Sequence, residues 1–254
     1  MPKAYLDFPR TACYNGEKDC HDGGPLMWYL ISLVMFLAAY GIGLFFILRL
    51  RAPVRYLDGA ATVGIFLAHL LIMILIFLDV GFYDWNFQNT LPTANVSPFV
   101  FTLCPIVLIL RGRARTLCLT LLSILSLGML LAVMRTGLMN YARDYTVLFT
   151  ILFDSATHAA LSLYGIYLIR SGQVTLTRRD CLGAAAILLS AALFMMLLNL
   201  CFHTSFFGLS LYGDHNIYTV VLTESGILSA LLYFTGLTAV LFGGWLYARI
   251  FRRK

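Results

Sequence analysis

Six polar side chains lie inside long apolar runs of this 254-residue chain. An ionisable group at the centre of a bilayer costs at least about 2.5–3.5 kcal/mol, so such residues are typical of functional sites. Counted along their helices, all six fall between the middle of the membrane and its outer surface. We therefore expect one functional cluster, although contacts that only hold helices together use the same residue types. The six residues are His69, Asp154, His158, Asn199, His203 and Glu224.

Asp154 and His158 are four residues apart, so their side chains share one face of a helix. The carboxylate can hold one imidazole nitrogen while the other points into the bundle, which orients a general base. Asn199 and His203 repeat this spacing and predict a second polar pair on a neighbouring helix.

A thiol in the middle of the third apolar run, Cys104, could supply a nucleophile. Pro105 follows it, and we expect this proline to kink or break the helix beside the thiol. His158 could take the thiol proton, and the thiolate would attack the carbonyl of a lipid ester. The pattern predicts a lipid acyltransferase or hydrolase with Cys104, His158 and Asp154 as catalytic residues. The predicted substrate-binding residues are His69, Thr102, Asn199, His203 and Glu224, with Thr102 and Asn199 as candidate oxyanion donors.

Two other functions would use the same polar residues. Histidines with carboxylates suit zinc, so a zinc-dependent intramembrane hydrolase is an alternative in which a metal-bound water replaces the covalent intermediate. A transporter or lipid-binding protein would instead use the cluster as a proton relay or a head-group site. The thiol mechanism requires no metal and no cofactor. The ligands that the zinc hypothesis draws on are His69, Asp154, His158, His203 and Glu224.

Membrane-spanning helices must position these residues. The chain is 60% hydrophobic and 12% charged, which excludes a water-soluble globular domain of this size. A hydrocarbon core of about 30 Å requires about 20 apolar residues per helix, and runs close to that length recur along the chain. We predict an all-α, polytopic bundle of seven transmembrane helices over Met27–Leu48, Gly59–Val80, Val96–Leu110, Thr116–Met134, Thr146–Ile169, Cys181–Phe202 and Val220–Tyr247.

The distribution of Lys and Arg predicts the orientation of this bundle. Thirteen of these residues lie after spans one, three, five and seven, and five lie on the opposite side. Because cytoplasmic loops carry the excess of positive charge, the N-terminus is predicted outside and the C-terminus in the cytoplasm. Residues 1–26 are then extracytoplasmic, 27–248 form the membrane domain and 249–254 are a basic tail. A six-span alternative would make the third run re-entrant and place the charged loops on inconsistent sides.

Membrane lipids are the expected partners, in a multi-pass protein of the cell membrane. The net charge of +6 lies in short loops between apolar runs, which argues against a nucleic-acid-binding surface. No nucleotide-binding motif occurs, and the soluble segments are too short for a nucleotide-binding domain. Cys13 and Cys20 could form a disulfide in an oxidising compartment. The sequence leaves the oligomeric state open.

The order of these features resembles the YwaF-like integral membrane proteins over about residues 90–235. That family includes an animal phospholipid acyltransferase acting through a membrane-embedded Cys and His, so the resemblance implies that Cys104 and His158 act on a phospholipid ester. Their separation of 54 residues is also similar. The chain departs from the family in having Thr102 where members usually have a histidine. The shared motifs are Leu91-Pro92 before Leu103-Cys104, His158-Ala159-Ala160 before Tyr167-Leu168-Ile169, and Asn199 before a loop with Gly208.

Overall fold

The computed structural model describes residues 24–50, 56–78, 95–133, 148–202, 206–208 and 226–252. These residues form seven α-helices with their turns, so the predicted all-helical fold is confirmed over this part of the chain. Each predicted span overlaps one helix, and a 3₁₀ turn, Phe206–Gly208, follows the sixth. The helices are α1 (Gly24–Arg49), α2 (Leu57–Phe77), α3 (Val96–Ile109), α4 (Gly112–Ala132), α5 (Leu148–Arg170), α6 (Arg178–Phe202) and α7 (Gly226–Ile250).

One end of the bundle is rich in arginine, and we call it the basic end. Only Leu110 and Arg111 join α3 to α4 there, both with extended backbone. The ends of α1 and α5 meet at the same level, because Arg170 Nη2 donates to the Leu48 carbonyl at 2.9 Å. The arginines of the basic end are Arg49, Arg111, Arg113, Arg115, Arg170, Arg178, Arg179, Arg249 and Arg252.

Helix α4 is the centre of the bundle. It packs against α3, α5, α6 and α7, and every residue from Cys118 to Ser126 is buried. Its hydroxyl groups bond within the helix: Thr120 Oγ1 donates to the Thr116 carbonyl at 2.8 Å, and Ser123 Oγ to the Leu119 carbonyl at 2.9 Å. Small side chains with internal hydrogen bonds let α4 approach its neighbours closely without leaving buried polar groups unbonded.

Two glycines bring neighbouring helices against the backbone of α4. A Cβ atom on Gly244 of α7 would lie 2.1 Å from the carbonyl oxygen of Ile124. A Cβ atom on Gly165 of α5 would lie 2.5 Å from Cβ of Ser126. Because no Cβ fits at either distance, these two close approaches require glycine.

The outer surface of the bundle is apolar. Large hydrophobic side chains are exposed along α2, α6 and α7, including Leu67, Phe194 and Leu231. Four helices within the described ranges are long and apolar enough to cross a membrane: α2, α6, residues 112–131 of α4 and residues 230–250 of α7. Apolar exteriors of this extent are typical of proteins whose solvent is lipid.

Candidate functional site

The structure places Asp154 and His158 together on α5, as their spacing predicts. His158 Nδ1 lies 3.0 Å from the backbone carbonyl oxygen of Asp154 and 3.5 Å from its carboxylate oxygen Oδ1. Both residues are buried: 8% of the surface of His158 and 7% of that of Asp154 are exposed. Since both neighbours of Nδ1 are acceptors, we assign the proton of the neutral imidazole to Nδ1. Nε2 is then the nitrogen that can accept a proton.

Phe101 of α3 contacts two imidazole rings. It stacks on His69 of α2 with ring centroids 4.6 Å apart and planes at 15°. It meets His158 of α5 edge-on, with centroids 4.9 Å apart and planes at 86°. We call His69, Phe101, Asp154 and His158 the histidine layer. Sequence reasoning missed Phe101, although its position one turn before Cys104 places it on the same face of α3.

Cys104 lies closer to the basic end than the histidine layer does. Phe101 marks the level of His158, and Cys104 is three residues further along α3, about 4.5 Å closer to the basic end. The thiol is completely buried, and Sγ lies 3.8 Å from the carbonyl oxygen of Val100. No hydrogen bond joins Cys104 to His158, both of which the structure describes.

The expectation that Pro105 breaks its helix is wrong, because α3 continues through this proline to Ile109. A kink at this position stays a prediction. Proline is tolerated in membrane helices when neighbouring helices hold the segment in place. Here Val100, Cys104 and Val107 are each completely buried in the core, so neighbouring helices pack against α3 on both sides of the proline.

The predicted oxyanion donors are engaged elsewhere. Thr102 Oγ1 donates to the Pro98 carbonyl at 2.9 Å within α3. Asn199 accepts from the Phe206 N–H at 2.7 Å and donates to the Phe206 carbonyl at 3.0 Å. These two bonds close the turn after α6 and place Phe207 against Phe99, with ring centroids 5.6 Å apart. Asn199 thus has a structural role, and substrate binding by either residue stays a prediction.

The zinc hypothesis draws on residues from both described and undescribed segments. Within the described ranges, no three His, Cys, Asp or Glu side chains gather into a metal-binding group. His203 and Glu224 lie outside those ranges, as do Cys13 and Cys20. Three of the five predicted ligands, His69, Asp154 and His158, belong to the histidine layer. They do not form a metal-binding group there, and the two imidazoles are each in contact with the Phe101 ring.

Sequence reasoning missed two acidic residues at the basic end. Asp58, in the first turn of α2, accepts a hydrogen bond from Arg115 of α4 at 2.9 Å and another from the hydroxyl of Tyr164 on α5. The sequence contains a signal for such a pairing, since Asp58 lies three residues after Arg55, at the end of the chain segment that is rich in arginine.

Asp180 makes the equivalent connection between α4 and α6. It pairs with Arg113, and its carboxylate also accepts from Thr177 Oγ1 at 2.5 Å. Thr177 Oγ1 in turn accepts from the Asp180 N–H at 3.1 Å, which caps the start of α6. The arginine-rich end is therefore held together by two carboxylates, that of Asp180, which is buried, and that of Asp58, which is half-buried.

The resemblance to YwaF-like proteins stays a prediction. The chain matches no family model, no curated protein and no solved structure.

Proposed function

We propose that this protein is a seven-span membrane enzyme that transfers or hydrolyses the acyl group of a lipid ester, with His158 as its general base. The observation that carries the proposal is the buried pair of Asp154 and His158, whose geometry leaves Nε2 to accept a proton. A buried, oriented imidazole suits proton transfer in a site without bulk water.

The bilayer would supply the substrate to this site. Counted from the end of α5 at Arg170, His158 lies about 18 Å from the basic end, past the middle of a hydrocarbon core of about 30 Å. The positive-inside rule places the basic end in the cytoplasm and the N-terminus outside. On this orientation the histidine layer lies in the outer half of the membrane, where an ester of the outer leaflet could enter between helices.

In the acyltransferase mechanism, Cys104 is the nucleophile. Its thiol exchanges the hydrogen bond to Val100 for one to His158, and Nε2 takes the thiol proton. The thiolate forms a bond to the ester carbonyl carbon, and the carbon–oxygen bond to the lipid alcohol breaks. His158 returns the proton to that alcohol. An acceptor hydroxyl then gives its proton to His158 and forms a bond to the thioester carbonyl carbon; the carbon–sulfur bond breaks, and His158 returns the proton to the sulfur.

A hydrolase without a covalent intermediate is the second candidate. It is favoured by the environment of Cys104, whose sulfur is completely buried and bonded to the carbonyl of its own helix. His158 would then remove a proton from water as the water oxygen bonds to the ester carbonyl carbon. The carbon–oxygen bond to the lipid alcohol breaks, and His158 returns the proton to that alcohol. Both mechanisms require His158, but only the first requires the thiol.

Intact mass measurement with a lipid-turnover assay separates the two mechanisms. Purified protein is incubated with bilayer phospholipids as wild type, Cys104→Ala and His158→Gln. Cys118→Ala is the matched control, because Cys118 is another buried membrane thiol and lies on α4. We expect an acyl-sized mass gain in the wild type and the control, its loss in Cys104→Ala, and turnover reduced about 10²–10⁴-fold in His158→Gln.

Other outcomes of this experiment are equally informative. Turnover without any adduct, retained in Cys104→Ala and lost in His158→Gln, would establish the hydrolase. An adduct that persists in Cys104→Ala would exclude Cys104 as the nucleophile. Unchanged turnover in His158→Gln, or no turnover of any phospholipid by the wild type, would contradict the proposed function.

A further inference from the structure

A cavity of about 750 Å³ opens at the basic end between α4, α6 and α7. Its volume lies within the range of about 300–1,000 Å³ that small-molecule sites occupy. Helices α6 and α7 both pack on α4 but contact each other less, so a groove remains between them. Ile124 of α4 contributes to its lining, at the position where Gly244 of α7 packs against α4. The histidine layer belongs to α2, α3 and α5, so this cavity is separate from it.

The walls of the cavity are apolar along both helices. Ala185 and Leu189 line it from α6, and Leu241 and Trp245 line it from α7. Each pair is one turn apart, so the groove continues along the helix axes and away from the basic end. Residues 181–189 of α6 cover about 12 Å, less than half of a hydrocarbon core of about 30 Å. Such a groove suits an acyl chain from one leaflet.

Three arginines contribute to the same cavity: Arg178 at the start of α6, Arg249 in the last turn of α7, and Arg252 just beyond it. The guanidinium of Arg249 lies over the Trp245 ring, 4.9 Å from its centroid. This cation–π contact holds the charge beside the apolar wall.

No carboxylate within the described ranges forms an ion pair with these three arginines. Asp180 is the acidic residue nearest to them in sequence, and its carboxylate is already bonded to Arg113 and Thr177. The cavity therefore combines three arginines that no described carboxylate pairs with and an apolar groove. Guanidinium groups bind phosphate with several parallel hydrogen bonds, so an anionic phosphate is the complementary group.

We propose that this cavity binds an anionic phospholipid, with its phosphate at Arg178, Arg249 and Arg252 and an acyl chain between α6 and α7. The charge complementarity and the apolar walls are both required, because neither a soluble anion nor a neutral lipid matches the whole surface. The site is distinct from the histidine layer of the proposed function. Lipid binding to it can be measured without an assay of lipid turnover.

Native mass spectrometry of the full-length protein in mild detergent tests this assignment, with phosphatidylglycerol and phosphatidylcholine as probes. We expect the Kd of phosphatidylglycerol for the wild type to be about tenfold lower than the Kd of phosphatidylcholine. The variant R178Q/R252Q should lose this preference, because each arginine near a membrane surface contributes to anionic-lipid binding. The matched control is R111Q/R179Q, which removes the same charge from the basic end at residues outside the cavity lining.

The apolar wall is tested by filling it. Ala185→Phe keeps all three arginines but occupies the groove, and it should weaken phosphatidylglycerol binding about tenfold. If Ala185→Phe does not elute as a folded species, Leu189→Trp is used instead to fill the groove. Equal Kd values for the two lipids, equal loss in both arginine double variants, or full affinity in the filled variants would each overturn the proposal. Full affinity in the filled variants, with phosphatidylglycerol displaced by inorganic phosphate, would identify a phosphate site instead.

Discussion

Asp58 is held by side chains from two other helices, Arg115 of α4 and Tyr164 of α5. Its own first-turn position also places the negative charge at the positive end of the α2 dipole. A partly buried carboxylate loses some of its hydration, and the hydrogen bonds from Arg115 and Tyr164 compensate for that loss. One residue therefore connects three helices at the basic end.

Replacing Arg115 by Gln should lower thermal stability. Asp58 would keep the Tyr164 hydroxyl but lose its charged partner, and a mostly buried carboxylate left in this state costs about 1–3 kcal/mol. The measurement is the unfolding temperature in detergent, with Arg111→Gln as control, because Arg111 is exposed and forms no ion pair among the described residues. Equal unfolding temperatures for the two variants would contradict a stabilising role of the pair.

Residue pairs within one helix could be predicted, whereas contacts between helices could not. The pairing of Asp154 with His158 follows from the four-residue spacing alone. The level of Cys104 relative to His158 depends on how α3 and α5 are aligned along their axes, and spacing within either helix does not determine that alignment. The same reason explains why Phe101 was missed as the residue between His69 and His158.

Among the elements, α4 determines the arrangement of the others. Its hydroxyl-bearing surface is buried on every side, and α5 and α7 each contact its backbone through a glycine. The apolar runs predicted the seven helices of the described ranges, because length and composition are local properties. They could not predict that α4 is central, because a run with several Ser and Thr residues is equally compatible with a lipid-facing position.

Replacing Gly244 by Ala should separate α7 from α4. The new methyl group would meet the carbonyl oxygen of Ile124 at 2.1 Å, and the backbone must move to relieve this contact. We expect a loss of about 1–3 kcal/mol, seen as a lower unfolding temperature in detergent. Gly243→Ala is the matched control, because nothing lies within 4 Å of a Cβ atom there. A control variant as unstable as Gly244→Ala would contradict the packing explanation.

At the scale of the molecule, the described residues include buried polar groups within the apolar core and many exposed apolar side chains. Leucines and phenylalanines are exposed on the surface, while Asp154, His158 and Asn199 are buried. The arginines of the described ranges lie at one end, where Asp58 and Asp180 connect the helices. Composition and charge counting predicted this general arrangement, but they could not predict the cavity between α6 and α7, which depends on helix spacing.

The proposed orientation predicts which terminus an impermeant reagent reaches. An epitope tag at the N-terminus should bind antibody on intact cells, and a tag at the C-terminus should bind only after the membrane is permeabilised. Permeabilised cells in which both tags are detected provide the control for expression. If the C-terminal tag alone is detected on intact cells, the orientation is reversed; if both are detected, the number of spans is even.

The burial of α4 has a consequence for biosynthesis. Three of its four neighbours, α5, α6 and α7, follow it in the chain, so they leave the ribosome after it does. Of these four helices only α3 precedes α4, so the packing around the serine and threonine residues of α4 is incomplete until the later helices are made. The packing around α4 is complete only when Gly244 of α7 reaches Ile124. Assembly of this core therefore depends on a helix that is made after α4, α5 and α6.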